Sequence, residues 1–440
     1  MAEQAEKIAI QIIEKLKAAG FVAFFAGGYV RDLIMGNTPK DYDIATSALP
    51  DDIEAMFPKC ISVGKKFGVE IVVLEGYQFE VTTFRSDAKY VDGRHPESVS
   101  FSSPEEDAKR RDFAINGLFY DPMNRRMIDF VSGQMDIEKK VIRTIGNPQE
   151  RFEEDHLRIL RAIRFAANLN FEIEAATWAA MIRNRTSIHR VSQERIRDEL
   201  VKMFTRPGAG KGLVLLSESG LLAEVLPEIE ALKGVKQPEA YHPEGDVFVH
   251  TKLMLDQLKQ PVSVELAFSA IFHDVGKPGT FGRTETGDIH FYNHAAVGAD
   301  IAREALTRLR FSNQEIDRIT WAIGNHMRYG DVKEMRIGKL KQLIGKETFE
   351  MELELHRADC LASHGSLDNY YFLIQKREEF KKEDLKPKCI INGHDLMALG
   401  VSEGPIMKEI LNAIYELQLE LKFKSKEDAI LYVKEKLINQ

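Results

Sequence analysis

The sequence has few cysteines and no long apolar run. Its cysteines, Cys60, Cys360 and Cys389, are far apart and form no CxxC pair, so neither a disulfide framework nor a thiolate zinc site is expected. No stretch approaches the roughly 18 uninterrupted apolar residues of a membrane span, and Met1–Ile10 lacks a basic stretch followed by an apolar segment. We therefore expect no membrane partner, no secretion, and a reducing, cytoplasmic compartment.

The composition is that of a folded enzyme with several domains. The chain has 440 residues, of which 44% are hydrophobic and 29% charged, which is too apolar for a disordered chain. At about 150 residues per domain, this length predicts about two to four domains. The net charge of −8 argues against a general nucleic-acid coat, yet residues 139–211 carry 15 Lys and Arg against 9 Asp and Glu. This basic segment either binds an anionic partner or forms a solvated helical face.

Secondary-structure signals change along the chain. Residues 1–135 mix helical and strand periods, whereas amphipathic helical segments dominate after about Asp136. The clearest segments are the helix Glu6–Ala19, the strand Phe21–Phe25, the hairpin strands Val69–Leu74 and Phe79–Phe84, and the helices Asp155–Leu169 and Gln193–Phe204. The pattern predicts a compact sheet with helices, followed by an all-α region.

The segment FFAGGYVRDLIMGNTPKDYDIAT combines a glycine pair with two aspartates. Gly27 and Gly28 lie between a predicted strand and a predicted helix, and the chain then returns to a strand carrying Asp41 and Asp43. Residues two apart in a strand share a face, so both carboxylates are expected to point the same way. Converging carboxylates suit a pair of Mg²⁺ ions, and glycine N–H groups can approach a triphosphate closely. Each feature alone is usually solvated surface or a simple turn, but their combination favours a nucleotide site.

With these residues the sequence resembles the class II tRNA nucleotidyltransferases and bacterial poly(A) polymerases of the polymerase-β-like superfamily. The resemblance rests first on GGYVRD and DYD, and it covers about residues 24–200 in the family's order. Further matches are TTFRSDAKYVDGRHPESVSF, RRDFAINGLFYD, EEDHLRILRAIRFAANL and VSQERIRDEL. The resemblance implies an α+β fold, with a polymerase-β-like nucleotidyltransferase head followed by an all-α neck.

The resemblance also implies roles for individual residues. Asp41 and Asp43 would hold the catalytic Mg²⁺ ions, which activate the RNA 3′-hydroxyl and clamp the incoming triphosphate. Glu80, on a nearby strand, is either a third carboxylate or a rim charge. The residues implied at the triphosphate are Gly27, Gly28 and Arg31, and those implied at the nucleotide and ribose are Arg111, Asp112 and Asn116.

Asp155 and Arg158 are three residues apart in EEDHLRILRAIRF, which places them on one face of the predicted helix. An Asp carboxylate accepts from the exocyclic amino group of cytosine or adenine, whereas O4 of uracil and O6 of guanine are acceptors and are repelled. Arg158 can donate to a neighbouring ring nitrogen or carbonyl, so the pair predicts selection of CTP and ATP. Taken alone, the spacing is more typical of an ordinary helix salt bridge, but the aligned family motifs favour base reading.

Beyond residue 245, histidines and aspartates recur over successive predicted helices. They are His250, His273, Asp274, His294, His326 and Asp359. A single His is more often a capping or core residue, but six such side chains could converge on one or two divalent metals. The order resembles the H…HD…D motif of HD-superfamily phosphohydrolases. His294 and His326 are additional to this motif and could bind a second metal. Lys277 is either a phosphate contact or a helix C-terminal lysine.

The two resemblances together predict a bifunctional enzyme. The head is expected to add CMP and AMP to the 3′ end of tRNA without a template, from CTP and ATP with Mg²⁺. The HD domain is expected to hydrolyse phosphates at RNA ends or on nucleotides, with a divalent metal whose identity the ligand set leaves open. The alternatives are a bacterial poly(A) polymerase, an enzyme adding only CC or only A, and an HD phosphohydrolase whose head merely binds RNA. The intact loop Phe84–Phe101 weighs against CC-only addition, and intact Asp41 and Asp43 weigh against a merely RNA-binding head.

Five segments are expected along the chain. They are the nucleotidyltransferase head over 1–135, the helical neck with the nucleotide-selecting helix over 136–210, a linker or body over 211–245, the HD domain over 246–370 and a helical tail over 371–440. The Gly234–Gly245 stretch, which contains Pro238 and Pro243, is the clearest linker signal in its part of the chain.

Overall fold

Two units of structure follow one another along the chain. The computed structural model describes residues 2–39, 41–65, 68–87, 99–238, 241–381, 385, 387–423 and 425–438. One unit comprises Met1–Glu230 with Arg308–Arg310, and the other comprises Ala231–Thr307 with Phe311–Gln440. Within the described ranges, no helix is both long and apolar enough to cross a membrane. The predicted division into five segments stays a prediction.

A seven-stranded sheet forms the base of the first unit. Its strands, in the order in which they pair, are β3 (Cys60–Gly64), β4 (Val69–Leu74), β5 (Tyr77–Thr83), β2 (Ile44–Thr46), β1 (Ala23–Ala26), β8 (Leu118–Asp121) and β9 (Arg126–Asp129). The pair β2 and β5 is parallel, and the other pairs are antiparallel. A separate antiparallel pair consists of β6 (Arg85–Asp87) and β7 (Val99–Phe101).

Helices surround and then follow this sheet. They are α1 (Ala2–Ala18), α2 (Gly28–Ile34), α3 (Pro50–Met56), α4 (Pro104–Lys109), α5 (Gly133–Glu138), α6 (Pro148–Glu154), α7 (Arg158–Leu169), α8 (Ala175–Asn184), α9 (Gln193–Phe204), α10 (Ala209–Glu218), α11 (Leu221–Val225) and α12 (Pro227–Glu230). In α1 the fully buried Ile8, Ile12 and Leu16 recur every four residues, which gives the helix one apolar stripe. The predicted helix over Glu6–Ala19 is thus confirmed, and it begins earlier.

The predicted hairpin is confirmed as β4 and β5. Leu74 pairs with Tyr77, which leaves a two-residue loop of Glu75 and Gly76. Both loop residues have positive φ, 50° and 83°, and two such residues in sequence match the right-handed twist of the flanking strands. The local Glu-Gly signal therefore determines the register that places Glu80 on β5.

The second unit is largely helical. Its elements are α13 (Val247–Gln257), α14 (Val264–Phe272), α15 (Lys277–Thr280), β12 (Phe281–Arg283), β13 (Ile289–Phe291), α16 (His294–Arg308), α17 (Asn313–Asn325), α18 (Ile337–Ile344), α19 (Phe349–Ala362), α20 (Asp368–Phe380), α21 (Gly393–Ala398), α22 (Pro405–Leu419) and α23 (Lys426–Val433). Local capping sets several helix starts. For example, the side chain of Ser312 accepts from Glu315 N–H while the Glu315 carboxylate accepts from Ser312 N–H.

The predicted fold class is confirmed, with short strands where only helices were expected. After residue 136 the chain forms a parallel pair, β10 (Val141–Ile142) with β11 (Glu172–Ile173), and the antiparallel pair β12 with β13. The second pair lies in a segment for which the sequence predicted no strand. These strands have two or three residues each, which is too short to give a visible period in the sequence.

Candidate functional site

The turn between β1 and α2 creates an open space at the edge of the sheet. Gly27 has a φ of 62°, and a Cβ there would lie 3.2 Å from Nη1 of Arg111 and 3.8 Å from Oδ2 of Asp43. Gly28 begins α2, and a Cβ there would lie 3.7 Å from Nη2 of Arg31. The missing side chain at Gly27 thus leaves room where a guanidinium and a carboxylate approach each other.

Asp41 and Asp43 do not lie on a strand, contrary to the prediction. Strand β2 begins at Ile44, although Ala26 N–H still donates to the carbonyl of Asp43 at 2.9 Å. The pairing of β2 with β1 ends there, because the chain that forms β1 turns at Gly27 into α2 and no longer runs beside Asp41. Both carboxylates nevertheless line the same cavity, which has a volume of about 550 Å³.

Glu80 is a third carboxylate at this cavity. Strand β5 runs parallel to β2 with Val81 opposite Ile44, which brings Glu80 beside Asp43. Burial, together with the negative charges of Glu80 and Asp41, raises the pKa of Asp43 to about 6, although the charge of Arg111 opposes the shift. Glu80 therefore combines the two roles that the sequence left open. It is exposed like a rim charge, yet its negative charge raises the pKa of Asp43.

A chain of hydrogen bonds connects the RRDFAIN segment to α2 and α7. Nη1 of Arg31 donates to Oδ1 of Asn116 at 3.1 Å, and Nδ2 of Asn116 donates to Oδ1 of Asp112 at 3.1 Å. Oδ2 of Asp112 accepts from Nε and Nη2 of Arg161 at 2.8 and 2.6 Å. Burial would raise the pKa of Asp112, but the Arg161 charge and the Asn116 hydrogen bond outweigh it and lower that pKa to about 2. Asp112 is therefore a buried anion that orients Asn116 and Arg161.

Arg111 is held by a second buried carboxylate. Its Nε and Nη2 donate to Oδ2 of Asp107 at 3.1 and 2.9 Å, and its Nη1 donates to the carbonyl of Asn116 at 3.2 Å. Asp107 is 1% exposed, and it also pairs with Arg110 at 2.7 Å. The guanidinium of Arg111 is thus fixed beside Gly27 and Asp43.

Asp155 and Arg158 do not share a helix face, so the predicted geometry is wrong. Helix α6 ends at Glu154, Asp155 has extended angles of −143° and 105°, and α7 begins only at Arg158. The side chain of Asp155 accepts from Leu157 N–H at 3.1 Å, a local bond that competes with helix continuation. Both side chains nevertheless line the 550 Å³ cavity.

Neither residue of this pair forms the helix salt bridge that the spacing alone suggested. Oδ2 of Asp155 accepts from Arg195 at 2.8 Å, and Nη1 of Arg158 donates to Glu154 at 2.6 Å. Arg158 is 7% exposed and also donates to the carbonyls of Arg151 and Arg110, at 3.0 and 3.3 Å. Each side chain is therefore oriented by its own partners.

Sequence reasoning missed several residues of the cavity wall. These are Arg85, Arg161, Arg164, Phe165, Lys202 and Arg206. A signal existed: Arg158, Arg161 and Arg164 recur every three residues on α7, and Glu199 in the VSQERIRDEL match accepts from Arg164 at 2.5 Å. The guanidinium of Arg164 also lies 4.0 Å from the centre of the Phe165 ring. Some of the basic side chains of residues 139–211 thus line the cavity.

The loop Phe84–Phe101 is only partly described. Its ends form β6 and β7, and residues 88–98 lie outside the described residues. The inference against CC-only addition therefore stays a prediction.

In the second unit, the predicted histidines and aspartates converge. Nε2 of His250 lies 3.0 Å from Oδ1 of Asp359, and Nε2 of His273 lies 3.1 Å from Oδ2 of Asp274. Oδ1 of Asp274 lies 3.5 Å from Nε2 of His294 and 3.9 Å from Nε2 of His326. The side chains come from α13, the end of α14, α16, the end of α17 and α19. Every residue of this predicted set is therefore at one place.

The imidazole tautomers are set by bonds on the far side of each ring. Nδ1 of His273, His294 and His326 donates to the carbonyls of Ala270, Phe291 and Ile323, at 2.9, 2.9 and 2.7 Å. A carbonyl can only accept, so each neutral ring must carry its lone pair on Nε2, which faces the cluster. Nε2 of His294 and Nε2 of His326 are only 3.3 Å apart. Two facing lone pairs at that distance repel unless a cation lies between them, so these residues fit a divalent metal.

The carboxylates and unsatisfied atoms agree with this fit. Asp274 is 2% exposed, and within the described residues Nε2 of His273 makes no hydrogen bond although it lies 3.1 Å from Oδ2 of Asp274. Burial would raise the pKa of Asp274, but the neighbouring His273 and Lys277 side chains hold it well below its usual range. Burial lowers the pKa of His326 to about 4, which keeps that ring neutral and able to bind a metal.

Two neighbours of the cluster were missed by sequence reasoning. Oε1 of Glu244 lies 2.7 Å from Nδ1 of His250 and 2.9 Å from Nδ1 of His242. Burial would lower the pKa of His250, but Asp359 and Glu244 outweigh it and raise that pKa to about 9. Glu244 and His242 precede α13 in the HPEGDVFVH segment, where only the final His was singled out. A carboxylate behind a ligating imidazole is the usual support of a metal site.

Lys277 lies at the start of α15, not at a helix C-terminus. Its Nζ is 2.7 Å from Oδ2 of Asp274 and 2.5 Å from Oε1 of Gln237, and the residue is 5% exposed. Its ammonium group is therefore committed to the Asp274 carboxylate, which leaves the phosphate contact a prediction.

Comparisons with known proteins find relatives for both units of the chain. Family profiles match residues 23–143 as the poly A polymerase head domain, residues 170–233 as the probable RNA and SrmB-binding site of polymerase A, and residues 246–363 as the HD domain. A CCA-adding enzyme of Streptococcus suis is 32% identical over 449 aligned positions, which cover 98% of this chain and 97% of that protein.

A second relative and a solved structure complete the comparison. A CCA-adding enzyme of Geobacillus thermodenitrificans is 48% identical over 214 residues, or 48% of this chain, and the match spans about half of that relative, 53% of its length. The crystal structure of the Bacillus stearothermophilus CCA-adding enzyme in complex with CTP superposes with a TM-score of 0.76 at 29% identity. That superposition covers 97% of this chain and 96% of the other.

Proposed function

This chain belongs to the family of CCA-adding enzymes, and from that premise we propose that it adds CMP and AMP to the 3′ end of tRNA, using CTP and ATP. The observation that carries the proposal is the 550 Å³ cavity, which joins three carboxylates to a wall of arginines. Carboxylates suit metal-assisted phosphoryl chemistry, and arginines suit a triphosphate. Arg183, Arg185 and Arg190, in the segment that the RNA-binding profile covers, supply positive charge for the tRNA.

Asp41, Asp43 and Glu80 are the residues of this chain that would hold Mg²⁺. Burial and the nearby charges of Glu80 and Asp41 raise the pKa of Asp43, a cost that a bound cation would offset. When bound, Mg²⁺ supplies activation of the primer hydroxyl and neutralises charge on the triphosphate. Arg111, fixed beside Gly27, and Arg31, tied to Asn116, bind and orient the triphosphate at the open turn.

Asp155 and Arg158 read the base in this proposal, although not as a helix pair. Arg195 holds Asp155 as an acceptor for the exocyclic amino group of cytosine or adenine, and Glu154 holds Arg158 as a donor beside it. A uracil or guanine carbonyl opposite Asp155 would place two acceptors face to face. Selection of CTP and ATP then follows from two side chains that are oriented before the nucleotide binds.

Incubation of the protein with tRNA lacking its last three, two or one nucleotides, with each labelled NTP separately, tests the head. CCA addition predicts CMP incorporation on the first two primers and AMP incorporation only on tRNA ending in CC. AMP incorporation alone would identify an A-adding enzyme, and CMP incorporation alone a CC-adding enzyme. No incorporation with any NTP on any of the three primers would contradict the proposal.

A second candidate function is poly(A) addition. It is favoured by the profile over residues 23–143, whose description is the head domain of poly A polymerase. The same assay separates the candidates, because a poly(A) polymerase extends an RNA with many AMP residues. A CCA-adding enzyme stops after one AMP on tRNA ending in CC.

We also propose that the histidine and aspartate cluster is a metal-dependent phosphohydrolase site acting on phosphates at RNA ends or on nucleotides. His250, His273, Asp274, His294, His326 and Asp359 would hold the divalent metal. The inward Nε2 lone pairs of His273, His294 and His326 fit such an ion. When bound, it supplies an activated water for attack on phosphorus. Glu244 holds His250 in place, and Lys277 balances the charge of Asp274.

A further inference from the structure

A second cavity, of about 480 Å³, opens directly beside the histidine cluster. Asp274, His294 and His326 form part of its wall, so a molecule inside it would touch the candidate metal ligands. The rest of the wall is largely aromatic or apolar and includes Tyr241, Ile289, His290, Phe291, Tyr292 and Met327. The candidate metal cluster is thus continuous with a surface suited to a flat apolar group.

Tyr292 and His290 form a stacked pair at this wall. Their ring centres are 4.0 Å apart with an angle of 21° between the planes, yet Tyr292 is 72% exposed. One face of the phenol ring therefore rests on the imidazole while most of the side chain remains open to solvent. A large exposed aromatic ring held flat by a neighbour is a typical surface for base stacking.

Gly282 and the β12–β13 hairpin hold His290 in this position. Gly282 pairs with His290 across the hairpin, and a Cβ at residue 282 would lie only 2.3 Å from Cε1 of the imidazole. The ring consequently lies across the glycine, where any side chain would displace it. The hairpin thus provides a rigid support for Tyr292.

The stacked pair is tied to the candidate metal ligands through one short turn. Tyr292 precedes His294 by two residues, and Nδ1 of His294 donates to the carbonyl of Phe291 at 2.9 Å. Asn293, between them, adopts a left-handed φ of 63°. Two extended residues span at most about 7 Å, so the stacking surface lies within about one nucleotide of the cluster.

We propose that this cavity is a nucleobase subsite and that Tyr292, supported by His290, determines that the phosphate ester cleaved at the cluster is a nucleoside phosphate. This inference rests on the proposed phosphohydrolase function and names its substrate class. Stacking accepts any base, because each base presents a flat face. The polar side chains on the cavity wall, Ser363, His356 and His364, can meet the ribose or the base edge.

The reaction considered is the hydrolysis of a nucleoside 2′,3′-cyclic phosphate. The oxygen of a water molecule bonds to phosphorus, and the bond from phosphorus to one ribosyl oxygen breaks. That oxygen takes a proton from the water, which gives a nucleoside monophosphate with no oxidation or reduction. The base takes no part in the bond changes, so its effect is confined to binding and positioning.

The test compares adenosine 2′,3′-cyclic phosphate with ribose 2,3-cyclic phosphate, which differs only in lacking the base. Rates are measured with the full chain in Mn²⁺, Co²⁺ and Ni²⁺, and kcat/KM is determined for each substrate. We expect wild type to prefer the adenosine substrate by about 5- to 100-fold, the effect of one stacked base. Fluorescence titration with 1,N6-ethenoadenosine 3′-monophosphate, with EDTA present, measures base binding independently of hydrolysis.

Three variants examine the stacking surface. Tyr292→Ala should bring the substrate ratio close to one and weaken the fluorescence titration by a similar factor, whereas Tyr292→Phe should retain both. Tyr371→Ala removes an equally exposed tyrosine, 63% exposed on α20 and outside the cavity, and should leave both measurements at the wild-type value. Thermal unfolding of all variants shows that each is folded.

The outcomes separate this inference from the function on which it rests. Hydrolysis of both substrates with equal kcat/KM, or an unchanged ratio in Tyr292→Ala, would overturn the base subsite while leaving a phosphohydrolase. No hydrolysis of either substrate with any of these metals would overturn the phosphohydrolase function, and the fluorescence titration would still decide whether Tyr292 binds a base. An oligoribonucleotide ending in a 2′,3′-cyclic phosphate completes the set: a higher kcat/KM than for the mononucleotide supports RNA ends as the source, and a lower one supports free nucleotides.

Discussion

Asp43 is a partly buried carboxylate that the fold holds at a cost. Burial raises its pKa to about 6, and the charges of Glu80 and Asp41 act in the same direction. A carboxyl group with a higher pKa in the folded than in the unfolded protein binds more protons when folded. Stability is therefore lost as the pH rises through about 6, and it is regained below that value. Such a cost is typical of a residue retained for its chemistry.

Asp43→Asn should stabilise the metal-free protein at neutral pH. The amide removes the buried charge, so at pH 7.5 with EDTA we expect the free energy of unfolding to rise by about 1–2 kcal/mol. The gain should shrink towards zero near pH 4, where the wild-type carboxyl is itself protonated when folded. Urea unfolding at the two pH values is the measurement, with Asp300→Asn, at an exposed position on α16, as control. A gain of equal size at both pH values would show that the charge of Asp43 is not its cause.

Asp155→Ala should change which nucleotide is used, besides slowing incorporation. Removal of the acceptor abolishes the repulsion of the uracil and guanine carbonyls, so UTP and GTP use should rise relative to CTP and ATP. A well-formed edge is worth about 1–3 kcal/mol, which predicts a fall of roughly ten- to a hundredfold in the CTP:UTP ratio of kcat/KM. Arg158→Ala should instead weaken the use of both correct nucleotides.

The control for this experiment is Glu153→Ala. It removes an exposed carboxylate of α6 that accepts a hydrogen bond from Gln149 and does not line the cavity. Its CTP:UTP ratio should equal that of wild type. If Asp155→Ala loses rate uniformly with all four nucleotides, the residue merely anchors Arg195 and the start of α7.

Elements determined by local chemistry were predictable from the sequence, whereas those determined by distant partners were not. The Glu75-Gly76 loop carries its own backbone signal, so the hairpin was predicted, although its second strand begins at Tyr77 and not at Phe79. The break at Asp155 is stabilised by Arg195, 40 residues later, and a helical period across EEDHLRILRAIRF cannot show it. Motif resemblance still brought Asp155 to the correct cavity, because a motif records the site and not the helix bounds.

The arginine wall could be predicted only in part. Motif residues such as Arg111 and Asp112 were found, whereas Arg161 was missed because its partner Asp112 lies 49 residues earlier in the chain. The histidine and aspartate cluster was predicted more completely, because its six side chains follow one another in an order that resembles a known metal-binding motif. Its supporting Glu244 was missed, since a single glutamate before a helix carries no signal of its own.

The turn that links β1 to α2 can be tested with two glycines of similar backbone but different surroundings. Gly27 and Gly36, which flank α2, have φ of 62° and 72°, so alanine at either position should cost about 1–2 kcal/mol of stability. A Cβ at Gly36 meets nothing within 4 Å, whereas one at Gly27 lies 3.2 Å from the Arg111 guanidinium. Only Gly27→Ala should therefore raise KM for the nucleotide, by about tenfold or more.

The measurement combines urea unfolding with steady-state kinetics of CMP incorporation. Equal losses of stability with unequal KM values would locate the effect at Arg111. Equal KM values in the two variants would show that the open space at Gly27 does not serve the nucleotide.

At the scale of the whole molecule, each unit carries its own chemistry. The first unit contains the nucleotide cavity, and the second contains the histidine and aspartate cluster. The residues of one site do not recur in the other, so we expect that the two proposed activities can be removed separately. The net charge of −8 is compatible with a nucleic-acid partner, because the basic surplus of residues 139–211 is confined to one segment.

The most direct test of the account measures both activities in two variants side by side. Incorporation of labelled CMP and AMP into tRNA lacking its final three nucleotides, and hydrolysis of adenosine 2′,3′-cyclic phosphate, are assayed for wild type, Asp41→Ala and Asp274→Ala. The account predicts that Asp41→Ala loses incorporation by a factor of about 1,000 or more and retains hydrolysis, since a lost metal costs several kcal/mol of transition-state stabilisation. Asp274→Ala should do the reverse. Incorporation within about tenfold of wild type in Asp41→Ala would contradict the assignment of the nucleotidyl-transfer site.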